Sequence, residues 1–112
     1  MAAVVTRPRA LQVYAGPRAL AHLRSRGLQP TDVRVVPAAA GGPKGLVLNP
    51  LDRFLFGHWL ARGLAGGTHT VHLLGASIGA WRMASAMLPD PDAALARLAH
   101  DYIHQRFDVP DG

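Results

Sequence analysis

The chain has 112 residues, enough for one small domain or for part of a larger one. It contains no cysteine, which excludes a disulfide frame, a thiolate metal site and a cysteine nucleophile. Lys and Arg number 12 against 7 acidic residues, a net charge of +5 with much of the excess early in the chain, yet no base-reading motif or aromatic-basic interleaving points to nucleic acid.

The opening MAAVVTRPRA lacks the long apolar core of a signal peptide. Its arginines, with Arg18, Arg24 and Arg26, suit a solvated face or peripheral contact with an anionic membrane surface. GPRALAHLRSRGL predicts a short helix, with Pro17 in its first turn, Leu20 and Leu23 on an apolar side and Gly27 at its exit. Val33 to Val36 reads as a strand ended by Pro37. After a glycine-rich loop, Val47, Leu51, Phe54, Leu55 and Trp59 recur at helical spacing from Pro43 to about Arg62, with a kink expected at Pro50. The apolar stretch from Gly45 to Gly66 is broken by Asp52, Arg53, His58 and Arg62, which argues against a membrane span and for a cytoplasmic protein.

THTVHLLG predicts a second strand, apolar enough to be buried on both faces. A sharp turn, ASIG, leads into a helix with Ile78, Trp81 and Leu88 along one side. PDPD ends that helix and starts the last one, with Asp90 as N-cap and Pro91 at the first helical position. Leu95, Leu98, Ala99, Tyr102 and Ile103 form its expected apolar face, and both tryptophans are expected in the core. Two strands joined by a helix imply a parallel pair in a right-handed crossover. A parallel sheet needs both faces covered, so residues 1–112 read as the N-terminal portion of a larger α/β domain.

Both unusual turns follow a strand and precede a helix, and so should lie at one sheet edge, where such folds place their sites. Gly75-Ala76-Ser77-Ile78-Gly79 fits G-x-S-x-G in the strand–turn–helix setting of a nucleophile elbow. There the serine hydroxyl is exposed, the glycines admit close packing, and the helix N-terminus favours a developing oxyanion. The alternative is a plain Gly/Ser structural turn. Gly41-Gly42-Pro43-Lys44-Gly45 could form a nest of backbone N–H groups for an anion, or start a helix with no ligand. It is not a P-loop, since Gly-Lys-Ser/Thr is absent.

AAGGPKG, an apolar helix and then VHLLGASIGAWRMASA resemble the N-terminal part of a patatin-like phospholipase or lipid acyl hydrolase, over about residues 33–87. The resemblance implies a parallel three-layer α/β/α sheet and hydrolysis of lipid or phospholipid esters by a Ser–Asp dyad, with no cofactor and no metal. Ser77 matches the nucleophile, and Gly75 and Gly79 its elbow. Gly41, Gly42, Lys44 and Gly45 match the oxyanion loop, with Gly41 and Gly42 as the favoured donors. Ala40 stands where the family has its first glycine, and Lys44 replaces the commoner arginine, keeping charge but losing the forked hydrogen bonds.

The family's aspartate follows a later strand, so it is expected beyond residue 112, and the fragment alone is expected to be inactive. Asp111-Gly112 is a partial D-G motif close behind Ser77 and reads as a polar tail; neither Asp101 nor Asp108 has a strand before it. His100 and His104 share a helix face with Asp101 between them, yet no third metal ligand is evident. His69 and His72 should point to opposite faces of a strand, with His22 and His58 near the surface. Two other readings stay open: an α/β-hydrolase with a Ser–His–Asp triad, and a non-catalytic product that keeps an anion-binding glycine loop.

Overall fold

The computed structural model describes residues 12–65, 67 and 69–108. Helix α1, Pro17–Arg26, starts with its proline in the first turn and ends at Gly27, whose φ of 70° lets its N–H reach Leu23 O at 2.9 Å. No α1 side chain is buried. A hydrogen bond of 2.9 Å from His22 Nε2 to Asp32 Oδ1 ties the helix to the short 3-10 turn Pro30–Asp32. That turn is closed by the Gln29 N–H on Asp32 Oδ2.

Strand β1, Val35–Ala38, lies two residues later than the sequence suggests and contains Pro37. It pairs in parallel with β2, His72–Gly75, in the register Val35 with His72, Val36 with Leu73, Pro37 with Leu74 and Ala38 with Gly75. Pro37 is tolerated because only one side of β1 is hydrogen-bonded among the described residues, so its missing N–H can face outward. His69 lies before β2 rather than on it, and its Nε2 bonds the carbonyl of Val33.

Between the strands runs one helical stretch of changing pitch. It begins as a 3-10 segment, Gly42–Leu48, and continues as α2, Asn49–Phe54. A π turn, Leu55–Trp59, then leads into α3, Leu60–Leu64. Pro50 sits in the first turn of α2, where a missing N–H costs nothing, so the expected kink becomes a change of pitch. At Gly57, in the π turn, an added Cβ would lie 2.9 Å from Asp92 Cβ, so bare backbone is pressed onto the next element. Helices α4, Ile78–Ala86, and α5, Pro91–His104, complete the chain, with the Asp90 carboxylate accepting from the Ala93 N–H at 3.0 Å as the N-cap of α5.

The described residues are thus mixed α/β, mostly helical, with a two-stranded parallel sheet. Its core gathers Ala38, Phe56, Leu60, Met83, Ala86 and Leu95, and Val36, Leu73 and Trp59 pack against it. Five residues expected in the core or at apolar helical spacing are exposed. Val47 and Phe54 are exposed, because the buried stripe of the long helical stretch runs through Asp52, Phe56 and Leu60. Trp81 is 67% exposed, because α4 buries Ile78, Arg82, Met83 and Ala86 instead; Leu88 and Ile103 also face outward.

The sheet is not buried on both faces among the described residues. Val36, Ala38 and Leu73 meet the core, while the alternate positions Val35, Pro37, His72 and Leu74 are exposed. No helix among the described residues is long and apolar enough to cross a membrane.

Candidate functional site

Ala38 and Gly75 end their strands as register partners, so both glycine-containing turns leave the sheet at the same edge. The ladder is extended one step by the Ala76 N–H, which donates to Ala38 O at 3.1 Å. The chain then reverses sharply. Ser77 has φ 54° and ψ −125°, and it is the one non-glycine residue with positive φ among those described. Such a conformation costs on the order of 1–3 kcal/mol and persists only where its surroundings impose it.

The surroundings are close-packed backbone. A Cβ on Gly75 would lie 2.5 Å from the Ala80 and Gly79 main chain, and one on Gly79 would lie 2.2 Å from Ala38 O. Only glycine fits at either place. The N–H groups of Gly79 and Ala80 donate to Ala76 O and Ser77 O, each at 2.9 Å, and start α4 immediately after the serine.

Ser77 occupies the N-cap of α4, yet its side chain makes no capping hydrogen bond. A serine retained for capping accepts from the N–H two or three residues on. Here the residue is exposed at the positive end of the helix.

The first turn packs against the second. Gly42 is left-handed, with φ 56°, whereas Gly41, at φ 170°, is merely extended. Pro43 sits at the start of the 3-10 segment and Lys44 is exposed. Gly45 is buried, and a Cβ there would lie 2.8 Å from Ile78 Cγ2. The glycine loop therefore touches the residue that follows Ser77.

Between α2 and α4 lies a buried ion pair. The Arg82 guanidinium donates to both Asp52 oxygens, Nε to Oδ2 at 2.6 Å and Nη2 to Oδ1 at 2.8 Å. Both residues are buried, at 4% and 8% exposure. The hydrogen bond to Asp52 raises the Arg82 pKa above its ordinary value, against the opposing effect of burial. A second polar tie, from Asn49 Nδ2 to Leu95 O at 2.9 Å, fastens α2 to α5. Asp52 and Arg82 each lie on the buried side of their helix, a side that periodicity alone does not single out.

Other sequence candidates sit apart from the turns. Asp101 is exposed on α5 and Asp108 lies in the exposed segment after it, while Asp111 falls outside the described residues. Asp52 is occupied by Arg82. His100 and His104 do share a face, with ring centroids 4.4 Å apart, but among the described residues no three His, Asp or Glu side chains converge as metal ligands. Comparison of the chain with protein-family models, curated proteins and solved structures finds no match.

Proposed function

We propose that these residues form the nucleophile and oxyanion part of a serine acyl hydrolase of the patatin-like type, acting on lipid or other acyl esters. The observation that carries the reading is the backbone of Ser77. A non-glycine residue is held at φ 54° between a strand and a helix, with its hydroxyl not used as a cap. Backbone strain of this kind clusters at active sites. A capping serine would instead accept the N–H two or three residues on.

The chemistry follows from the placement. Ser77 Oγ attacks the ester carbonyl carbon as its proton passes to a carboxylate, and the carbonyl electrons move onto oxygen. The N–H groups of Gly41 and Gly42, with the start of α4, stabilise that oxyanion; Lys44 adds positive charge and Gly45 permits the close packing. Collapse expels the alcohol, which takes the proton, and leaves an acyl-serine. Water, deprotonated by the same carboxylate, then attacks the acyl carbon and releases the acid. The carboxylate is an aspartate from outside residues 1–112, in the family's Ser–Asp arrangement, and the strands that carry it extend the sheet to the three-layer form.

The test is covalent. A fluorophosphonate probe incubated with the gene product should phosphonylate Ser77, located by peptide mapping, and Ser77→Ala should abolish both labelling and hydrolysis of a p-nitrophenyl ester. Unchanged hydrolysis by Ser77→Ala overturns the proposal. Loss of hydrolysis on replacing a histidine would move the reading to a Ser–His–Asp enzyme.

A further inference from the structure

We infer that the buried Asp52–Arg82 pair is a positioning device, which holds the glycine loop in register with the serine turn. The inference rests on the reading of Ser77 as nucleophile, but its structural part can be tested without activity. Arg82 lies five residues after Ser77 on α4, and Asp52 belongs to α2, which continues directly from the 3-10 segment carrying Gly42 and Gly45. The two side chains come from positions 30 residues apart and meet through two parallel hydrogen bonds.

A bidentate pair fixes angle as well as distance, which a greasy contact between rods does not. The loop and the serine turn also meet by packing, with Gly45 against the branched Ile78 side chain and Gly79 against the Ala38 and Ala39 carbonyls. These are van der Waals contacts, without the directionality of a hydrogen bond. The Asp52–Arg82 pair adds a directional restraint between α2 and α4. Its energy is a poor reason for its presence, because a buried ion pair can often be replaced by apolar residues with little loss of stability. Orientation is the better reason, since a displacement of about 1 Å at a reacting centre can cost about a hundredfold in rate.

The pair acts on Ser77 and on the oxyanion donors through the helices that carry them, so neither member is a catalytic residue. Arg82→Lys keeps the charge but loses the fork. Asp52→Leu combined with Arg82→Leu removes both charges and keeps an apolar filling.

The experiment is hydrogen–deuterium exchange on the chain and these variants, read separately for residues 41–48, 76–82 and 93–104. The expected result is that Arg82→Lys and the double leucine variant keep the thermal midpoint within a few degrees, yet exchange at 41–48 and 76–82 rises about tenfold or more. Exchange at 93–104 should stay as in the parent. In the active protein the same variants should lower kcat toward a p-nitrophenyl ester by about tenfold to a hundredfold with KM unchanged.

Unaltered exchange at 41–48 in the folded double variant overturns the inference, whatever the activity. So does exchange that rises equally in all three segments, which would mark a purely structural tie. If the double variant does not fold, Arg82→Lys alone decides by the same criterion. Persistent hydrolysis by Ser77→Ala, with the exchange result as expected, would sink the nucleophile reading while leaving the coupling of the two turns intact.

Discussion

Gly79 lies so close to Ala38 that a methyl group on it would sit 2.2 Å from the Ala38 carbonyl oxygen. The obstacle is main chain in the sheet, which cannot swing aside as a side-chain end can. Gly79→Ala must therefore shift α4 away from β1 or break the strand pairing. Overpacking of this kind typically costs about 1–3 kcal/mol and more where backbone must move. We expect a fall in the urea midpoint by at least that equivalent, with Gly75→Ala behaving alike. A midpoint equal to the parent's for either variant would contradict the packing described.

Ser77 gives an opposite expectation. Its left-handed backbone carries strain of about 1–3 kcal/mol, which glycine would relieve. Ser77→Gly should raise stability, offset in part by the greater freedom of glycine in the unfolded chain. Ser77→Ala keeps the Cβ and should leave stability near the parent value, since no cap is lost. If the serine were a structural cap, the alanine variant would lose about 1 kcal/mol. Chemical denaturation of the three proteins separates the cases.

Asp90 is a residue that does cap. Its carboxylate accepts the Ala93 N–H at the start of α5, and α5 contributes Leu95, which is fully buried. Asp90→Ala should cost about 1 kcal/mol, and Leu95→Ala about 2–5 kcal/mol. An Asp90→Asn variant should restore most of the first loss. Equal effects from Asp90→Ala and Leu95→Ala would mean that α5 is held by something other than the core.

These contrasts show which features were legible in the amino-acid order. The two turns, the cap at Asp90 and the exit at Gly27 were readable because glycine, serine, aspartate and proline act locally, through allowed dihedrals and nearby N–H groups. Periodicity was less informative. It locates the helices but not which stripe turns inward: Val47 and Phe54, at apolar helical spacing, and Trp81, expected in the core, are exposed. Asp52 failed the same way: a carboxylate in an apolar run reads as a solvent-facing interruption until its partner, 30 positions later, is in view. The π turn at Leu55–Trp59 has no sequence signature, and neither does the close approach of Asp92 to Gly57 within it, a contact 35 positions away in the chain.

Acid should weaken the molecule in a defined window. A hydrogen bond from Arg53 holds the Asp92 carboxyl below its ordinary value, and the Gln29 N–H does the same for Asp32. A lowered folded pKa means that the unfolded chain takes up protons first as pH falls. The stabilising contribution is therefore complete above the ordinary aspartate pKa of about 3.9 and is lost as pH falls below it toward the folded values. Thermal midpoints should be level in this respect from pH 7 to about pH 5 and drop toward pH 3. Asp92→Asn and Asp32→Asn should each make that drop shallower. An unchanged slope in both would remove these carboxylates as its source.

Gly45 offers a direct measure of contact between the two turns. A Cβ there would meet Ile78 Cγ2 at 2.8 Å and Cγ1 at 3.1 Å, the branch atoms of a side chain and not main chain. Gly45→Ala should therefore destabilise by about 1–3 kcal/mol without unfolding the protein, because Ile78 can shift its rotamer or its helix slightly. Ile78→Ala removes both clashing atoms at the usual cost of a buried aliphatic truncation, about 2–5 kcal/mol. Combined, the two changes should destabilise by less than their sum, with a coupling of about 0.5–3 kcal/mol. Denaturation of the four proteins of the cycle yields that coupling. A value near zero would mean that the glycine loop does not rest on the residue after Ser77, and the loop would lose its place beside the proposed nucleophile.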